Sequence, residues 1–390
     1  MTIPHDFSPL RIAAALLVVA MILLSPAPAT SQVEVAFNGD PAHDSLLAKG
    51  WVFVLAEEYD RAIEIYTEGE DLFPASSRFT LEIGLIEMTR GRHDTAAARL
   101  EPLLEAPDIL PLYYLAVAEL EGMRKNPAKA LSVARRGIAR FPEVGFLYGT
   151  GAKYLQRLGD TAAAWLMLDS GIAAAPDYLG NYDDLITLAE TTNSGVMMAL
   201  YAEAALHVTN VSEESYRYRD LLDMIGQTLL SDIDPDGFRL YYEGYSLASA
   251  DPRIDSIRRD LITAWHRTVQ ITRDRLTADP PDLTTIAGLH THRSAFLETW
   301  HDLGHQERFP LPLFARARAL RQEGLDTIYS YYLFGNRAHL GEFGVWMEET
   351  GDVFGCGSPL CPLEIWMDAR RIGYGEGALF TLREMGEKKN

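Results

Sequence analysis

Cysteine is scarce in this 390-residue sequence, which contains only Cys356 and Cys361, separated by Gly-Ser-Pro-Leu. Two thiols are too few for a zinc site built from cysteines, and the Cys-x-x-Cys-His sequence that attaches haem is absent. In an exported chain an even number of cysteines indicates a disulfide, so we expect a Cys356–Cys361 bridge. A redox-active pair is the alternative, although a four-residue spacer containing proline is an unusual redox spacing.

Positive charge is also in short supply. The chain has 35 Lys and Arg against 55 Asp and Glu, a formal net charge of −20, and it contains no basic stripe. So acidic a surface repels phosphate backbones and anionic lipid headgroups, which argues against nucleic-acid and membrane-surface binding. The composition therefore favours a basic or apolar partner, either a protein or a peptide.

Long hydrophobic runs are missing as well. The longest lies at 12–24, behind Arg11, and its thirteen residues fall short of the ~20 that a membrane-spanning helix needs. Ser-Pro-Ala-Pro-Ala at 25–29 has the small-residue pattern of a signal-peptidase site. We expect residues 1–29 to be a signal peptide cleaved after Ala29, so that the protein is periplasmic or secreted and has no membrane insertion after cleavage. A retained anchor is the alternative.

Familiar catalytic signatures are missing too. No Gly-rich phosphate loop, Gly-x-Ser-x-Gly or sustained alternating strand pattern occurs. The sequence therefore assigns no catalytic residue, and it predicts an all-α protein.

A 34-residue period is present between residues 43 and 178. Small residues recur at this interval, and proline or a neighbouring proline recurs near the end of each unit. The registers are Ala62, Ala96, Ala130 and Ala164; Gly50, Gly84, Ala118 and Ala152; and Pro74, Asp108 (after Pro107), Pro142 and Pro176. Small residues let two helices approach closely, and proline ends the second helix of each pair.

This pattern resembles the tetratricopeptide repeat (TPR) family. Glu58-Tyr-Asp-Arg-Ala62-Ile-Glu-Ile-Tyr66, closed by Pro74, is the best single match, and Arg157-Leu-Gly-Asp160 with Pro176 marks the fourth repeat. The resemblance implies an α-solenoid of antiparallel helix pairs with a concave face. It divides the mature chain into a linker at 30–42, four repeats at 43–178 and degenerate helical repeats at 179–280.

Residues 281–390 are expected to be a helical C-terminal region that carries the Cys356–Cys361 loop as a cap. The pattern predicts helices over 182–189, 196–208, 212–230, 284–303, 311–323, 325–334 and 338–350. The breakers Ala278-Asp-Pro-Pro-Asp282 predict a boundary near 280.

One segment, 232–243, matches the calcium loop of an EF-hand. Its ligand positions are Asp232, Asp234, Asp236 and Glu243. Arg239, however, stands where a paired hand has an aliphatic residue, and no second loop exists. We therefore interpret the segment as a turn between repeats and keep a calcium site as the alternative.

Four of the ten histidines lie within sixteen residues, at His290, His292, His301 and His305. His301 and His305 are spaced so that they share one face of a helix, which is a spacing found in metal sites. The Glu that a His-Glu-x-x-His zinc protease requires is absent. A zinc site at these histidines is the second metal alternative.

The TPR resemblance also implies a partner-binding groove lined by the first helix of each repeat. The residues at these positions are Leu47, Trp51, Val54, Arg78, Leu81, Leu85, Met88, Leu115, Phe146, Lys153 and Arg157. The apolar majority suits an amphipathic helix or an extended peptide. Trp and Leu at helical spacing are also typical of a core.

The resemblance therefore predicts an exported scaffold that holds a partner, with no resident cofactor. A metal-dependent domain in 220–310, binding calcium or zinc, is the alternative. An enzyme of the helical-toroid type is a third, because the C-terminal 110 residues carry no motif that indicates another function.

Overall fold

The computed structural model describes residues 40–176, 178–191, 195–208, 217–223, 252–309, 311–322, 324–335 and 337–350. These residues form helices joined by turns, and no strand occurs among them. The predicted all-α class is confirmed to that extent. The signal peptide at 1–29, most of the 30–42 linker, the 232–243 segment and both cysteines lie outside the described residues.

The chain divides into two compact units, Met1–Gly159 and Asp160–Asn390. The first unit contains seven α-helices in its described part and a 3-10 turn at Glu101–Glu105. The helices are α1 (Pro41–Leu55), α2 (Tyr59–Leu72), α3 (Arg78–Thr89), α4 (His93–Leu100), α5 (Pro111–Met123), α6 (Pro127–Arg140) and α7 (Gly145–Arg157). Helices that follow one another in the chain pack together, and α5 also packs on α3 and α7.

The described part of the second unit is also helical. Its helices are α8 (Thr161–Ala174), α9 (Leu179–Thr191), α10 (Gly195–Val208), α11 (Pro252–Leu276), α12 (Ile286–Asp302), α13 (His305–Arg308), α14 (Pro312–Gln322), α15 (Asp326–Phe334) and α16 (Leu340–Thr350). Residues 217–223 are also helical, and Arg337–His339 form a 3-10 turn. The predicted helices at 284–303, 311–323, 325–334 and 338–350 correspond to α12, α14, α15 and α16. The predicted breaker cluster lies in the turn between α11 and α12.

Local structure repeats at the 34-residue interval. Helices α2, α4, α6 and α8 begin at Tyr59, His93, Pro127 and Thr161. The turn before each of them contains a residue of positive φ, and these residues are Glu57, Gly91, Lys125 and Gly159. Two side-chain contacts also recur one period apart. The Arg90–Asp60 ion pair is followed by Arg124–Asp94, and the Tyr148 hydroxyl donates to the Pro142 carbonyl just as Tyr182 does to Pro176.

The small-residue registers occupy the closest helix contacts. Ala62, Ala96, Ala130 and Ala164 have no exposed surface, as the period predicts. A Cβ atom placed on Gly50 would stand 2.2 Å from the Tyr66 ring, and one placed on Gly84 would stand 2.4 Å from Leu100. These glycines therefore let a large side chain of the next helix lie against the backbone.

An aromatic cluster forms part of the core of the second unit. Trp265 of α11, Phe296 and Trp300 of α12 and Phe314 of α14 are buried, with ring centroids 4.7–6.3 Å apart. Large buried aromatic surfaces of this kind contribute strongly to packing energy. Among the described residues, no helix has the length and apolar character required to cross a membrane.

Candidate functional site

The eleven predicted groove residues all lie on α1, α3, α5 and α7 of the first unit. Direct contact between repeat-equivalent positions is visible on α5 and α7. The Lys153 ammonium lies 2.6 Å from the carboxylate of Glu119, which stands 34 residues earlier. Equivalent positions on these alternate helices are therefore neighbours on one side of the unit.

The N-terminal end of this surface is apolar. Leu47, Trp51 and Val54 of α1 are half-buried and pack against a cluster that includes Tyr66 and Phe79. Next to them on α1, Val52 and Leu55 are 63% and 60% exposed. Neighbouring apolar side chains that are exposed in this way are a feature of protein contact sites. The sequence pattern did not single out Val52 or Leu55.

Three of the predicted groove residues are buried. Leu81 has no exposed surface, and Met88 is 6% exposed. Arg78 is 8% exposed and forms an ion pair with Glu82 at 2.7 Å, one helical turn away. These three side chains pack inside the unit in this conformation, so they cannot contact a partner directly.

The remaining apolar residues keep part of their surface exposed. Leu85 of α3, Leu115 of α5 and Phe146 of α7 are half-buried. Because α5 packs on both α3 and α7, and the α1 residues pack on a cluster that includes α3 side chains, the repeat register assigns these residues to the same side of the unit. The predicted groove residues that are apolar and partly exposed are called the apolar strip, and they are Leu47, Trp51, Val54, Leu85, Leu115 and Phe146.

Two cations lie at the α7 end of the apolar strip. Besides its ion pair with Glu119, Lys153 lies 5.5 Å from the centroid of the Tyr154 ring. The guanidinium of Arg157 lies over the same ring at 5.2 Å, and Arg157 is exposed. Burial, followed by the nearby charge of Glu119, raises the pKa of the Tyr154 hydroxyl, so the ring stays neutral beneath both cations. This end of the surface suits an acidic or carbonyl-bearing group of a partner.

No protein-family model and no curated protein matches this chain.

The four clustered histidines lie in separate side-chain environments among the described residues, and a zinc site at them stays untested. Within the described residues no group of three or more His, Cys, Asp or Glu side chains is placed to hold a metal ion. His290 Nδ1 lies 2.9 Å from Ser330 Oγ, and the His305 ring packs edge-on against Trp300. His301 Nδ1 lies 3.5 Å from an Arg318 nitrogen, so a cation stands beside it.

His292 is a core histidine. It is 3% exposed, and neither ring nitrogen has a hydrogen-bond partner among the described residues. Burial and the nearby charge of Arg273 lower its pKa from 6.5 to about 4. The ring is therefore neutral at physiological pH and packs as an aromatic side chain.

Sequence reasoning also missed a hydrogen-bonded chain of Asp44, His43 and Ser76 in the first unit. The 34-residue repeat gave a partial signal for this contact, because His43 opens the first repeat and Ser76 immediately precedes the second. Motif searches do not detect residues so far apart in the chain.

Proposed function

We propose that the protein is an exported scaffold of the TPR type that holds a partner protein in a groove on its first unit. The recurrence of helix starts, positive-φ turns and side-chain contacts at 34-residue intervals supports this proposal. In the proposed architecture, antiparallel helix pairs stack into an α-solenoid, and the C-terminal region with a Cys356–Cys361 disulfide caps it. The signal-like segment at 1–29 supports a periplasmic or secreted location.

The observation that carries the binding function is the apolar strip with a cationic end. Its six residues lie on four helices of one unit and remain partly exposed, while the chain as a whole carries a charge of −20. An amphipathic helix fits such a surface, with its apolar face on the strip and an acidic or carboxylate end near Arg157. Basic residues on the outer face of that helix would complement the acidic protein.

Site-specific photocrosslinking in the native compartment tests this proposal. A benzophenone side chain is placed at Trp51 or at Phe146, at opposite ends of the apolar strip. Control positions are Leu72 on α2, which is 60% exposed, and Ala139 on α6, which is also exposed. We expect both strip positions to crosslink to the same protein and both control positions to give little of that product.

The purified partner then allows a quantitative test. Trp51→Ala and Phe146→Ala should each weaken binding by about tenfold or more, since truncating a large aromatic anchor costs more than 1 kcal/mol. Leu72→Ser should leave the affinity unchanged. Equal crosslinking from all four positions, or full affinity in both alanine variants, would refute the groove.

A further inference from the structure

Asp44, His43 and Ser76 form a continuous hydrogen-bonded chain. His43 Nδ1 lies 3.0 Å from Asp44 Oδ1, and His43 Nε2 lies 2.9 Å from Ser76 Oγ. A carboxylate can only accept a hydrogen bond, so Nδ1 carries the proton of the neutral ring. Nε2 is then an acceptor, and the Ser76 hydroxyl donates to it. This is the order of groups that activates a serine nucleophile.

The imidazole ring is held in place by its surroundings. His43 is 1% exposed, and its ring packs edge-on against Phe73 at 5.2 Å and Phe79 at 4.8 Å between centroids. Asp44 and Ser76 keep part of their surfaces exposed. The base is therefore fixed and shielded from water, while the hydroxyl can be reached from outside.

Backbone donors lie immediately after the serine. Ser76 precedes the N-terminus of α3, and the side chain of the N-cap residue Ser77 makes no capping hydrogen bond. The amide of Arg78 donates to Ser76 Oγ at 3.4 Å, and the amides of Phe79 and Thr80 follow in the first turn of α3, where a helix has no carbonyl of its own to accept from them. Amides in the first turn of a helix stabilise negative charge, as an oxyanion hole requires.

We propose that Ser76 is an acyl-accepting nucleophile and that this site hydrolyses small carboxylic esters. Ser76 Oγ attacks the ester carbonyl carbon, and its proton passes to His43 Nε2. When the tetrahedral intermediate collapses, the bond to the alkoxy group breaks, and His43 returns the proton to the departing alcohol. Water then attacks the acyl-serine in the same way, releasing the carboxylic acid and restoring Ser76.

The surroundings of the site define the substrate class. Ser76 is half-buried, and the imidazole that it contacts is packed between the Phe73 and Phe79 rings, so an apolar, uncharged acyl group suits these surroundings better than a charged one. Asp44 contacts the imidazole and no reacting atom, so it acts as a positioning residue that keeps the proton on Nδ1. The site lies in the first unit, yet its activity is independent of the proposed partner-binding function.

A fluorophosphonate probe tests the nucleophile directly. The mature wild-type protein is incubated with the probe, and intact mass and peptide mapping locate the adduct. We expect one adduct per chain on Ser76, and none in Ser76→Ala. Ser45→Ala, an exposed serine of α1, is the matched control and should label as the wild type does. Hydrolysis of p-nitrophenyl acetate should likewise be lost in Ser76→Ala and stay at the wild-type rate in Ser45→Ala.

Asp44 is tested by substitution and rescue. Asp44→Asn should slow labelling at least about tenfold, and Asp44→Glu should recover part of that loss, while the thermal unfolding midpoint of both variants stays near that of the wild type. A purely structural contact would instead change the midpoint and leave the labelling rate alone. Folded wild-type protein that shows no adduct, or an adduct on another serine, would overturn the proposal.

Discussion

At the scale of single residues, the left-handed turns before α2, α4, α6 and α8 are filled in two ways. Gly91 and Gly159 occupy two of them with φ of +71° and +82°, whereas Glu57 and Lys125 adopt φ of +58° and +62°. A Cβ atom makes this conformation unfavourable by roughly 1–2 kcal/mol. The turns at Glu57 and Lys125 are therefore strained compared with the two glycine turns.

Replacing Lys125 by glycine should stabilise the protein by up to about 1 kcal/mol, because the removed strain exceeds the added entropy of the unfolded chain. At the equivalent turn before α4, Gly91→Ala adds a Cβ atom and should destabilise the protein by about 1 kcal/mol. A Cβ at Gly91 would meet no atom within 4 Å, so this variant reports backbone strain alone. Chemical denaturation measures both changes, and a Lys125→Gly variant less stable than the wild type would contradict the turn geometry.

His292 gives a second prediction at the same scale. Its pKa falls from 6.5 to about 4 on folding, so the unfolded chain binds a proton more readily between these values. The contribution of His292 to the free energy of unfolding should therefore be fully present above pH 6.5 and be lost as the pH falls toward 4. At pH 4.5 the loss should be about 2–3 kcal/mol. In His292→Leu this part of the pH dependence should disappear.

Urea unfolding at pH 7 and pH 4.5 gives the loss of unfolding free energy on acidification for the wild type and for His292→Leu. Both proteins contain the same carboxylates, so the difference between the two losses reports His292 alone. His93→Gln, at the start of α4, controls for the loss of a histidine as such. If His292→Leu loses as much stability on acidification as the wild type, the histidine is not buried in its neutral form.

At the scale of helices, the 34-residue registers report one repeated packing environment. Ala130 has no exposed surface, and α6 packs between α5 and α7. Ala130→Leu should therefore destabilise the protein by ~1–3 kcal/mol through overpacking. Ala139→Leu, on the exposed side of the same helix, should change stability by less than ~0.5 kcal/mol. Thermal unfolding compares the two, and equal midpoints would count against the register.

The helices themselves could be predicted from sequence because small residues, apolar spacing and breakers all follow the helical period. The prediction over 196–208 corresponds to α10 at Gly195–Val208. The long helix α11, at Pro252–Leu276, was not singled out. Its sequence contains Arg and Asp at many positions, so its apolar side is harder to recognise.

The candidate site was less predictable than the helices. A repeat position specifies which helix carries a residue, but burial depends on what the neighbouring helix places against it. Arg78, Leu81 and Met88 occupy groove positions in the family pattern, yet they are buried, whereas Val52 and Leu55 are exposed. Contacts such as His43–Ser76 join residues 33 positions apart, which local patterns do not reveal.

At the scale of the whole molecule, the charge of −20 affects every interaction with ions. An acidic surface attracts calcium weakly at many places, and salt screens this attraction. A dedicated EF-hand loop instead binds one ion with several carboxylates, one of them bidentate. Stoichiometry and salt dependence therefore distinguish a calcium site at 232–243 from general attraction to an acidic protein.

We predict that the 232–243 segment is a turn between repeats and binds no calcium specifically, because Arg239 places a cation where a paired hand has an aliphatic residue. Isothermal titration with calcium should show only weak, multi-site binding that fades as sodium chloride is raised from ~0.05 to ~0.5 M. Glu243→Gln should give the same titration as the wild type, apart from the single lost charge. One-to-one binding at micromolar strength that persists in salt and disappears in Glu243→Gln would instead establish the loop as a calcium site. The interpretation of 232–243 as a turn would then be wrong, and a metal-dependent domain in 220–310 would be favoured.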